Sequence, residues 1–214
     1  MDPKLEKWLK WLKVIHDGIQ DIVVAKREFH EVQAIIKANP KLHKPSSFYD
    51  YLSRTYVSHV IIGVRRQIKC DSQSISFVRL MNEMIDSPAT FSRKYYVGLY
   101  KDSVVQDFAD KDFDVFADAC APHIKASLVC DDLASIRKAS ERCEEYVDKR
   151  IAHWDKREPK SLPTFGELDA CVDILDQMYV KYHLLFHAAN MESLLPVRQF
   201  DSTAIFREPW IPSK

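Results

Sequence analysis

Glycine is scarce in this chain, with 4 residues in 214, about 2% against a usual figure of about 7%. Glycine-lined phosphate loops and glycine-rich β-turns therefore cannot be common, and neither GxGxxG nor GxxxxGK[ST] occurs. No serine sits in a GxSxG elbow, which sets aside a further enzyme class. An excess of either charge is also lacking, since 31 Lys and Arg balance 31 Asp and Glu. Bulk attraction to nucleic acid or acidic lipid is thereby excluded. No apolar run approaches the roughly 20 residues of a membrane span, and the stretch 57–64 is closed by Arg65 and Arg66. No membrane partner is expected. The first residues, MDPKLEKWLKWLKVIHDG, carry a charge every few positions and so lack the apolar core of a signal peptide. The five cysteines (Cys70, Cys120, Cys130, Cys143, Cys171) are odd in number and far apart, without zinc-ribbon spacing. They read as small buried hydrophobes in a reduced, cytoplasmic protein.

The chain does contain apolar residues in helical register, and a 46% apolar composition is ample for a core. After Asp2 and Pro3, the positions Leu5, Trp8, Leu12, Ile15, Ile19, Ile22, Phe29 and Ile36 step by threes and fours, with one gap at Lys26. They predict one long helix to about Asn39, with Gly18 as a place to bend. A second helix is expected from Ser46 or Ser47 to about Cys70, a shorter one from Ser74 or Ser76 to before Pro88, and another over 91–100. Residues 102–118 hold six aspartates and one lysine around Val105, Phe108, Phe113 and Phe116, predicting an acidic amphipathic helix. From Asp131 or Asp132 a long helix follows through Leu133, Ile136, Ser140, Cys143, Val147 and Ile151, ending by Pro159. Thr164 and Glu167 have capping-box spacing for a final helix along Leu168, Val172, Leu175, Tyr179, Tyr182, Phe186 and Ala189. These last two helices should form an antiparallel hairpin. The expected organisation is an all-α up-and-down bundle over 1–193, with a tail over 194–214 docked on it. The apolar stripes over 5–36 and 168–189 offer more helix face than one small bundle obviously needs, which predicts a homodimer.

Few residues suggest chemistry. His183 and His187 lie one helical turn apart, but Leu184 stands where HExxH would have its glutamate and no third ligand is evident, so no metal is expected. No cofactor motif is present. His59 reads as structural, while His16, His30, His43 and His123 have no interpretable partners. The segment 146–156, YVDKRIAHWDK, stands out because a helix through it aligns Arg142, Tyr146, Lys149 or Arg150, and His153. A cation, a phenol and an imidazole on one side can hold a phosphodiester and move a proton. Residues 149–160 contain five basic and two acidic side chains, a local charge of +3 that includes Lys156.

The phrase DKRIAHWDKRE, followed after a proline-containing loop by PTFGELDACVDILDQMYVKYHLLF, resembles the signature region of the AbiU-type HEPN (higher eukaryotes and prokaryotes nucleotide-binding) family. Upstream, FYDYLSRTYVSHVIIGVRRQIKCDSQSISFVRLM is similar to that family's preceding helix and its continuation. The resemblance implies a dimerising helical bundle whose motif helices meet across a cleft. It also implies a role in phage defence or a toxin–antitoxin pair, often as a metal-independent ribonuclease. In that motif, R-x(4–6)-H, the cation supports the strained phosphate and the imidazole assists attack by the RNA 2′-hydroxyl.

Carried across, the histidine is His153 and the polar residue is Asp148, but the arginine position is Val147. Arg150 is the nearest substitute, and Lys149, Arg142, Tyr146 and Lys156 are candidate RNA contacts. Three readings follow: a ribonuclease acting at His153, a non-catalytic module binding RNA, nucleotide or a protein partner such as an antitoxin, and a protein in which His153 is structural.

Overall fold

The computed structural model describes residues 2–147 and 163–210. Among them are seven α-helices, and the only β pairing is an isolated bridge between Ser92 and His123. The fold is an all-α helical bundle.

Helix α1 (Pro3–Ala38) begins where Asp2 accepts from the Lys4 amide, with Pro3 at the first position. It runs 36 residues without a break. Its stripe from Leu5 to Phe29 is buried as the spacing predicts, and Lys26, the gap in that stripe, reaches Asp173 at 2.6 Å. Gly18 serves close approach: a Cβ there would meet Gln67 Nε2 at 2.5 Å, and one at Gly63 would meet Ile22 Cγ2 at 2.2 Å. Helix α2 (Ser47–Ile68), capped by Ser46, lies antiparallel to α1 across these two glycines.

Helices α3 (Phe77–Asp86) and α4 (Arg93–Leu99) are capped by Ser76 and Ser92. The acidic stretch departs from the expected single helix. Only α5 (Ala109–Phe113) is α-helical, preceded by a turn at Asp102 with φ 63° and a short 3-10 segment. Arg93 explains the break, because its guanidinium lies on the Phe113 ring, binds both Asp110 and Asp114, and also donates to the Ala121 and Asp118 carbonyls. Phe113 and Phe116 enter the core while Val105 and Phe108 stay exposed, so the stretch has no single apolar face.

Helix α6 (Ala126–Tyr146) starts five residues before the expected cap at Asp131, with no side chain capping it. Thr164 and Glu167 form the predicted capping box that opens α7 (Phe165–His187). The hairpin is antiparallel: Lys181 and Tyr182 near the end of α7 bind Asp132 near the start of α6, and Arg142 near the end of α6 binds Glu167 near the start of α7. Helices α1, α2, α6 and α7 thus form the central bundle, with α3 packed against α6.

The stripes over 5–36 and 168–189 are largely consumed inside the chain. Trp8, Leu12, Ile15, Ile19, Leu175, Tyr179 and Tyr182 are buried within the single protomer. Several tail residues contact the helices. Leu194 is buried, its amide donating to Asp176, while Arg198 binds Glu28 and Glu31. One 3-10 turn, Ala204–Arg207, breaks the expected irregularity. Phe206 and Trp210 then line a cavity of about 300 Å³ with Ile35, Ile36, Phe48 and Tyr49. The cysteine reading holds for Cys143 and Cys171, but Cys70, Cys120 and Cys130 are exposed, a correction to the expectation that all five are buried.

Candidate functional site

Of the residues singled out in the sequence, Arg142, Tyr146 and Val147 are described, while Asp148, Lys149, Arg150, His153 and Lys156 lie outside the described residues. Val147 is 1% exposed and belongs to the core, as its place on the apolar stripe with Cys143 requires. The Val147 side chain is therefore out of reach of a solvent-borne phosphate.

Arg142 and Tyr146 are one turn apart on α6 but open onto different concavities. Arg142 binds the Glu167 carboxylate and lines an open hollow of about 570 Å³ with Ser135, Lys138 and Glu141. The Thr164 amide, together with the Thr164 hydroxyl and the Arg142 guanidinium, holds the Glu167 carboxyl below its ordinary range. The arginine is thus anchored to the start of α7.

Tyr146 instead lines a cavity of about 250 Å³ between α2 and the end of α6, together with Ser53, Arg54, Val57, Ser58 and Pro163. Arg54 is exposed and forms no ion pair among the described residues. Among the described residues the lining offers a guanidinium, two hydroxyls and a phenol, and no carboxylate. Such a donor set suits an anion: the planar guanidinium can grip two phosphate oxygens and the hydroxyls can donate to a third. Tyr146 and Pro163, which flank the segment 148–162 in sequence, both line this cavity. Arg54 escaped the sequence reading because nothing in one sequence tells what the outer face of α2 opposes.

A second constellation was also missed. Asp169, in the first turns of α7, accepts from Tyr56 Oη at 2.6 Å and lies 2.7 Å from His30 Nε2. Tyr56 stacks on Phe29 with ring centroids 4.0 Å apart, and burial with the neighbouring Asp169 pushes its phenol well above the ordinary range. His30 borders a cavity of about 430 Å³ between α1 and α7. The charged groups around that cavity are already paired, Lys26 with Asp173, Arg27 with Glu28, Glu31 with Arg198 and Asp176 with Ser193. The Glu31–Arg198 and Asp176–Ser193 pairs, with Arg27 donating to the Pro196 carbonyl, hold the tail, which makes this cavity a clamp for residues 193–198.

Four other histidines have partners among the described residues. His183 Nδ1 donates to the Ala189 carbonyl at 3.0 Å, and its ring lies 4.7 Å from that of His187. Burial, with the adjacent His183, depresses the His187 pKa. Among the described residues no three His, Cys, Asp or Glu side chains are grouped to hold a metal. His59 pairs with Asp21, and His43 bonds the last carbonyls of α1. No helix among the described residues is long and apolar enough to cross a membrane. Compared with protein-family models, with curated proteins and with solved structures, the chain matches none.

Proposed function

We propose that this chain is a HEPN-type protein of phage defence or of a toxin–antitoxin pair, cytoplasmic and homodimeric, that engages RNA at the end of the bundle where α6 leads into the basic strip. The observation that carries the reading is the cavity lined by Arg54, Ser53, Ser58 and Tyr146, which offers a cation and three hydroxyls among the described residues and includes Tyr146 and Pro163, the two lining residues that flank that strip in sequence. Arg54 binds a backbone phosphate, and the Tyr146 ring and hydroxyl serve the adjoining nucleotide. An antitoxin or other protein partner would compete for the same face.

The burial of Val147 favours binding over cleavage, because a valine in the core cannot neutralise a phosphorane. Cleavage by His153 would need its cation from elsewhere, and Arg54 is the described candidate. The test is incubation of a mixed RNA pool in EDTA with wild type and His153→Ala, alongside RNA binding by both. The binding reading expects equal binding and no cleavage by either protein. Cleavage that disappears with His153→Ala would establish the ribonuclease reading, and failure of both proteins to bind RNA would refute the proposal.

A further inference from the structure

Two of the five thiols meet although their spacing suggests no pairing. Cys143, in the last turn of α6, and Cys171, in the second turn of α7, are 1% and 0% exposed, and their sulfurs lie 3.2 Å apart. That separation is inside ordinary van der Waals contact, and a disulfide bond of about 2.05 Å requires a further approach of only roughly 1 Å. The two helices already pack along each other, held by Arg142–Glu167 on one side of the pair and by Lys181–Asp132 further along. Closure therefore needs a small side-chain movement and no rearrangement of the hairpin.

The two sulfurs are not equivalent. The Cys171 thiol lies 3.0 Å from the Ala139 carbonyl and also faces Cys143, so its single proton is shared between two acceptors. Receiving that proton holds the Cys143 thiol below its ordinary range, whereas the Cys143 sulfur and burial push Cys171 up. Cys143 also sits one turn from the end of α6, where local opening is least costly.

We propose that Cys143 and Cys171 are a reversible redox pair, oxidised by a peroxide to a disulfide that fastens α6 to α7 and reduced again by a dithiol. The Cys143 thiol gives up its proton as its sulfur attacks one peroxide oxygen; the O–O bond breaks, the departing hydroxide takes up that proton to leave as one water, and Cys143 becomes a sulfenic acid. Cys171 sulfur then attacks the Cys143 sulfur and displaces hydroxide, which takes the Cys171 proton and leaves as a second water. Two electrons pass from the thiol pair to the peroxide. The cross-link closes the loop that contains the strip 148–162, so both anchor points of that strip become part of one covalent ring. This inference stands independently of RNA binding.

The experiment uses the whole protein. N-ethylmaleimide applied briefly to the folded chain blocks the exposed Cys70, Cys120 and Cys130; hydrogen peroxide follows, and the protein is then denatured and treated with a second, heavier alkylating reagent. The expected product is lighter than the unoxidised, unlabelled pair by two hydrogens, yields a Cys143–Cys171 cross-linked peptide, and recovers both thiols with dithiothreitol. Its Tm should rise by about 5–10 °C on oxidation, and Cys171→Ser should show neither cross-link nor rise. Full labelling of both thiols after peroxide would overturn the proposal, as would a sulfinic acid at Cys143 beside a free Cys171, or a Tm rise that persists in Cys171→Ser.

Discussion

Arg142 at the end of α6 pairs with Glu167, the same residue whose carboxylate closes the capping box of α7. One side chain thus starts a helix and joins it to its neighbour. The arrangement fixes the two helix ends between which the segment 148–162 runs.

That carboxyl titrates below the ordinary value of 4.5 in the folded chain. A depressed carboxyl contributes stability that is fully present above its unfolded pKa and is lost as pH falls through the folded one. Glu167→Gln should therefore lower the Tm at pH 7 and converge on wild type as both are acidified below about pH 4. A difference in Tm that stays constant across this range would show that the carboxylate charge is not what matters. Thr164→Ala, which removes the hydroxyl that caps α7, should cost about 1 kcal/mol in urea denaturation.

Val147→Arg, which would place an arginine at the position the HEPN resemblance assigns to one, should unfold the chain. The position is in the core, and an unpaired guanidinium there costs several kcal/mol. Equilibrium denaturation measures it. A variant with wild-type stability and new ribonuclease activity in EDTA would mean that the side chain reaches a phosphate.

Gly63→Ala should lose about 1–3 kcal/mol because the new Cβ falls 2.2 Å from Ile22 Cγ2. The double variant with Ile22→Ala tests the cause. Removing the obstructing methyl should make the two losses less than additive, whereas strict additivity would place the cost of Gly63→Ala elsewhere.

Light scattering at micromolar concentration should give twice 24.9 kDa for the proposed homodimer. The apolar stripes of α1 and α7 no longer argue for it, since they are filled within one protomer. A monomer would remove any composite cleft across two motif helices.

Much of the fold was legible because buried positions repeat at the helical period. The stripe of α1, its Asp2–Pro3 start, and the Thr164 capping box are local signals, each complete within a few residues. The reading failed where a distant partner decides. Residues 102–118 read as one helix until Arg93 is placed between Asp110 and Asp114, and α6 begins at Ala126 with no capping side chain to announce it. His30 and Asp169 are 139 positions apart, and Cys143 and Cys171 are 28, so neither pair could be joined from spacing alone. Arg54 was equally silent. Its meaning comes from the end of α6 facing it across a cavity.

The most direct test of RNA engagement at this cavity is fluorescence anisotropy of a labelled single-stranded RNA with wild type and Arg54→Ala over a range of salt concentrations. Arg54 is exposed, so its removal should leave the Tm within about 1 °C of wild type. If it binds a phosphate, Arg54→Ala should weaken binding about tenfold, alike for different sequences, and reduce the slope of log K against log salt by about 0.7. Unchanged affinity and an unchanged slope in a folded Arg54→Ala protein would contradict the account.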